Sequence, residues 1–151
     1  MPNPSPKRAF GSTEKSRRRK ANLDLPTARK MIPLVSSIVR DIISLQGELG
    51  QLEPERQQLD RSRRELDWQD RQRRYQLQDD ILRKRRELHS AIGELKALGV
   101  SLSDRAEGRV DFPTRIEGRP AAYSWKSGEE DIGFWHYAGE EERRPIPTAD
   151  E

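Results

Sequence analysis

A chain of 151 residues is the length of a single domain, yet 36% of it is charged and only 32% is apolar. Leu, Ile, Val and Phe occupy about one position in five, close to the level below which chains stay unfolded. The formal net charge of +3 offers little self-repulsion, so a large compact core is excluded but an elongated fold with a thin apolar seam is not. Cysteine is absent, which removes disulfides and thiolate metal sites. No apolar run approaches the ~20 residues of a membrane span, and no apolar signal region opens the chain. A soluble, cytoplasmic protein without membrane contact is expected.

Taken in chain order, the charge is uneven. Residues 1–22 hold seven Lys/Arg against the single acid Glu14, with three prolines among the first six positions and the run Arg17-Arg18-Arg19-Lys20. This stretch is expected to be a disordered basic tail. Residues 55–86 are again basic, whereas 104–151 are acidic. The bland total hides a basic tail, a basic middle and an acidic end.

From Asp24, a plausible helix cap followed by Pro26 in the first turn, the pattern is helical. Met31, Val35, Ile38, Ile42, Leu45, Leu49 and Leu52 recur in alternating steps of four and three, which is a coiled-coil seam. Leu59 and Leu66 continue one line of it. A second seam runs through Leu77, Ile81, Leu88, Ala91, Leu95 and Leu98 to a stop at Gly99. Gly47, Gly50 and Pro54 suggest a break between the two. A turn there, however, would strand the second seam without a partner. Pairing Met31 with Leu95, Ile38 with Leu88 and Leu49 with Leu77 places the reversal near residue 63. The expectation is therefore a long antiparallel hairpin over 24–98, with the glycines as a kink or weak point. A second copy packing antiparallel against it, burying Leu59 and Leu66, is one expected partner.

Beyond Gly99 the period becomes two. Val110 and Phe112, then Ala121, Tyr123 and Trp125, then Ile132, Phe134 and His136 alternate with their neighbours, separated by Glu117-Gly118 and Ser127-Gly128. A three-stranded antiparallel meander over 108–138 is expected, packed on the hairpin base because it is too small to stand alone. The fold class is thus mainly α with a small β element (α+β). A single domain spans 23–147, with 148–151 as a loose tail.

The segment Gly108-Arg109-Val110-Asp111-Phe112-Pro113, followed by Trp125, Gly128-Glu129, Ile132 and Trp135-His136, resembles bacterial proteins grouped as domain of unknown function family 2203. Arg143-Arg144-Pro145-Ile146 resembles that family's closing element, and Leu23-Asp24-Leu25 through Met31-Ile32-Pro33 resembles its opening helix. The family pattern has Cys and Arg where Ser124 and Lys126 flank the tryptophan here, so a role that needs that cysteine is not expected. The resemblance implies the architecture and a C-terminal motif acting as one site or one core; it implies no activity.

Two functional classes follow. Asp111, Glu129 and His136, with Trp125 and Trp135 beside them, form a candidate ligand or structural motif and the one set that a meander could gather into a divalent-metal site or a general base with its orienter. The alternative is that His136 bonds a carboxylate and fixes the sheet. The aromatic rings are either a stacking platform or the core beneath the sheet. Arg17, Arg18, Arg19 and Lys20, with Arg61, Arg63, Arg64, Arg71, Arg73 and Arg74, are candidates for a nucleic acid or acidic protein partner. The alternative for these is a solvated face in which Glu65, Asp67, Asp70, Asp79 and Asp80 offset the charge. No nucleotide-binding glycine pattern, catalytic triad order or zinc-protease motif occurs, and no cofactor is expected. The favoured expectation is a non-enzymatic interaction protein.

Overall fold

A computed structural model describes residues 22–147. The candidate tail residues Arg17 to Lys20 and the terminal positions 148–151 lie outside the described residues.

Two long helices lead into an antiparallel sheet. Helix α1 spans Leu25–Arg61 and helix α2 spans Trp68–Ala97, joined by residues 62–67. The reversal therefore falls where burial of both seams demands it. Helix α1 passes through Gly47, Gly50 and Pro54 as one element. Both glycines face open space, so neither is there to admit a neighbour. Packing of the seam outweighs the local helix-breaking signal.

Each helix end has a physical cause. Asp24 caps α1 by accepting from the Thr27 N–H at 2.8 Å, and hydrogen bonding from the Thr27 side chain first, then from that N–H, holds its carboxyl below the ordinary range. Asp67 caps α2 in the same way, accepting from the Asp70 N–H at 2.8 Å. At the end of α2 the Gly99 N–H bonds the Lys96 carbonyl and the Val100 N–H bonds the Leu95 carbonyl. Gly99 itself has φ +85°, a left-handed position natural for glycine. This is a Schellman stop, completed by Val100 and Leu95 in the same buried cluster.

The arms are held by two clusters. Toward the tip, Leu49, Leu77 and Ile81 are buried, with Leu52, Leu59 and Leu88 against them. Leu59 thus packs in part within its own chain. Beyond this cluster, side chains are too polar for a seam and ion pairs cross instead. Arg73 grips Glu55 through two bonds of 2.8 and 3.0 Å and Arg74 pairs with Asp60, while alongside the cluster Lys84 pairs with Glu48 and Arg85 with Glu53.

Arg73 and Arg74 hold Glu55 and Asp60 below their ordinary carboxylate values. A carboxylate with a lowered folded pKa stabilises the fold above its unfolded pKa and loses that contribution as pH falls through the folded one. The tip is therefore expected to fray first on acidification below about pH 4. Hydrogen exchange should rise in 53–75 before it rises in the base, and Arg73→Gln should remove part of that pH dependence.

The sheet has the order β1-β2-β3-β4-β5, all antiparallel: Ser101–Asp104, Arg109–Ile116, Arg119–Lys126, Phe134–Tyr137 and Arg144–Pro145. The three central strands are the expected meander, and two short strands flank it. Ser101–Asp104 has a single apolar side chain, Leu102, and Arg144–Pro145 is two residues long, so neither carries a readable period. Pro145 suits an edge, where no N–H is needed. The turn Glu117-Gly118 has positive φ at both positions, the geometry of a tight type I′ hairpin.

One sheet face packs on the helices. Val110, Phe112, Trp125 and Ile132 join Val35, Ile38, Val39, Ile42, Ala91 and Leu95 in one buried cluster. Contact between sheet and hairpin is closest at Gly108. Its backbone lies so near α1 that a Cβ there would stand 2.8 Å from Val39 Cγ1 and 2.9 Å from Ile43 Cδ1.

Candidate functional site

The other face of the sheet carries the C-terminal motif. Register places Asp111 opposite Ser124 and Ser124 opposite Phe134, while His136 stands opposite Ala122. Asp111 and His136 are thus on strands either side of β3. The small Ala122 lets the imidazole reach across, and its Nε2 lies 3.1 Å from Asp111 Oδ1. Its Nδ1 lies 2.9 Å from the Tyr137 carbonyl oxygen. Both contacts are to acceptors, so the ring satisfies both when each nitrogen carries a proton. His136 is buried.

Glu129 is elsewhere. It sits in the β3–β4 turn, accepts the Lys126 N–H at 2.8 Å, and is gripped by Arg143 through bonds of 2.7 and 3.1 Å. Arg143 also donates to the Ser124 hydroxyl at 3.0 Å and to the Ser124 carbonyl at 3.1 Å, with its guanidinium 4.1 Å from the Phe134 ring centroid. Arg109 donates to the same hydroxyl at 3.2 Å. The structure therefore brings Asp111 to His136 but gives Glu129 to an arginine. Among the described residues no group of three His, Asp or Glu side chains can hold a metal ion.

Trp125 is fully buried on the helix-packed face, and its indole N–H donates to the Glu129 carbonyl at 2.9 Å. It is core, with its ring unavailable for stacking on a ligand. Trp135 is half-buried and meets Tyr137 edge-on at 4.9 Å. Arg144 lies 5.2 Å from both rings and Arg119 lies 3.8 Å from that of Tyr137. Arginines already occupy these aromatic surfaces.

A family model described as "Uncharacterized conserved protein (DUF2203)" matches residues 23–146. The chain belongs to this family. No curated protein and no solved structure matches it. The DUF2203 match begins at the first turn of the hairpin and ends just after β5, so it takes in helices and sheet together. Within that span, Gly108 sets the approach to α1, Trp125 fills the core, and Glu129 and Arg143 lock the turn. Ser124 presents its hydroxyl oxygen to two arginines, Arg109 and Arg143. Ser124 is fully buried on the outward face of β3, which the sequence did not signal, and its partners Arg109 and Arg143 were not deducible from spacing.

The candidate cations of the hairpin divide into two sets. Arg73 and Arg74 are consumed by cross-arm ion pairs. Arg61, Arg63 and Arg64 are exposed and form no ion pair among the described residues, while Arg71 donates only to the Asp67 carbonyl, at 3.4 Å. Asp67 uses its carboxylate on the helix cap.

Proposed function

We propose that this DUF2203 chain is a non-enzymatic interaction protein whose hairpin is a scaffold and whose distal end engages a polyanion, a nucleic acid or an acidic protein surface. The supporting observation is the division of the arginines: Arg73 and Arg74 help hold the arms together, while Arg61, Arg63 and Arg64, at the end of α1 and in the turn, are exposed and form no ion pair among the described residues. The run Arg17 to Lys20 belongs to the same reading, as do self-association along the hairpin and a cytoplasmic location. Among the described residues no helix is long and apolar enough to cross a membrane.

Phosphate contacts release counterions, so binding of a labelled oligonucleotide should weaken steeply with salt. Arg61→Glu/Arg63→Glu/Arg64→Glu is expected to weaken it at least about tenfold at ~50 mM salt. Fluorescence anisotropy measures this. Binding that is indifferent both to this reversal and to loss of residues 1–22 would sink the reading.

A second reading rests on the Asp111–His136 contact: a ligand or divalent-metal site in the C-terminal motif. The geometry favours a structural lock between β2 and β4. On that view His136→Ala lowers stability by about 1–3 kcal/mol, the cost of leaving a buried partner unsatisfied, and leaves oligonucleotide binding unchanged. Calorimetry with Zn2+, Mn2+ or Mg2+ should be silent; a stoichiometric heat abolished by His136→Ala would restore the metal reading.

A further inference from the structure

In a chain so poor in apolar residues, the large exposed ones are informative. Trp68, Tyr75 and Leu82 are 61%, 62% and 51% exposed. They are spaced seven residues apart on α2, so they form one straight stripe along it. At 100° per residue the stripe lies opposite Leu77, which faces α1. It is therefore a second seam with nothing among the described residues to cover it.

The charges beside the stripe identify what does. Arg71 and Asp79 flank Tyr75 at equal distances, four residues before and four after. Asp79 forms no ion pair among the described residues, and Arg71 makes only its long bond to a backbone carbonyl. A two-fold axis through Tyr75 that lays α2 antiparallel on itself sets Trp68 against Leu82 and Arg71 against Asp79, in both directions. Both ends of the apolar stripe and both unpaired charges are satisfied by one operation. A nucleic acid would satisfy Arg71 but would be repelled by Asp79 on the same face.

We infer that the outer face of α2 is the self-association surface of this protein, an isologous antiparallel contact with a second copy centred on Tyr75. This rests on the self-association part of the function proposed above and names its residues. The strip is narrow, near the ~1,200 Å2 lower end of specific interfaces, so association is expected at micromolar concentrations.

Sedimentation velocity of the full chain from ~1 to ~300 µM tests it, in a concentration range set by that interface size. The expected result is a concentration-dependent dimer that Arg71→Asp and Asp79→Arg each weaken at least about tenfold, with the double variant Arg71→Asp/Asp79→Arg restoring it because the ion pairs re-form in reverse. In a chain without cysteine, Tyr75→Cys should also cross-link to a dimer on mild oxidation. A chain monomeric throughout the range overturns both self-association and this surface. A dimer indifferent to both single charge changes keeps self-association but overturns this surface, and a double variant as weak as the singles overturns the register. All three positions are exposed, so folding is checked simply by unchanged circular dichroism.

Discussion

Gly108→Ala is expected to destabilise the protein by about 2–5 kcal/mol. Two terms combine. Gly108 has φ +68°, a region that costs a non-glycine residue roughly 1–2 kcal/mol. The added methyl would also sit 2.8–2.9 Å from Val39 Cγ1, Ile43 Cδ1 and Ser127 Cβ; the Ile43 methyl ends a flexible chain, but Val39 is a fully buried β-branched side chain and Ser127 Cβ is fixed to the backbone. Overpacking of this kind costs typically ~1–3 kcal/mol, because either a rotamer or the backbone must shift. Gly118 is the control: its φ is +75°, but a Cβ there meets nothing within 4 Å. Gly118→Ala should therefore show only the backbone term, about 1–2 kcal/mol. Urea unfolding followed by circular dichroism measures both. Equal losses at the two sites would mean that the sheet does not press on α1 at Gly108.

Trp125→Ala is expected to cost about 3–5 kcal/mol, the range for deleting a large buried ring. Trp125 is 1% exposed in the cluster that joins the sheet to both helices. Its indole N–H also anchors the Glu129 carbonyl, so the deletion loosens the turn that Arg143 grips. Trp125→Phe keeps most of the ring and loses that hydrogen bond, for a smaller cost of about 1–2 kcal/mol. If instead the ring served a ligand, alanine would leave the unfolding midpoint nearly unchanged.

Much of the fold was legible because burial enforces periodicity. The two seams placed the hairpin and its reversal, and alternation placed the three central strands. Short elements escaped for the same reason: Ser101–Asp104 and Arg144–Pro145 are held by pairing to longer neighbours rather than by their own pattern. The site was half legible. Asp111 and His136 meet diagonally because β3 offers only the small Ser124 and Ala122 between them, a fact of register. Glu129 was grouped with them on residue type, but its turn position points it to Arg143, which comes from a loop beyond β4. Partner choice among charged side chains depends on tertiary placement, and no spacing encodes it. The tip shows the same limit. Arg73 and Arg61 look alike in sequence, yet one is locked to Glu55 and the other faces solvent.

The central claim is that the hairpin tip is the working surface and the C-terminal motif is the joint that holds the sheet to the hairpin. Hydrogen–deuterium exchange with and without a saturating oligonucleotide at low salt tests it most directly. Protection is expected over residues 61–67, with the sheet segment 109–143 unchanged. Protection confined to 109–143, with the tip exchanging as in the free protein, would contradict it.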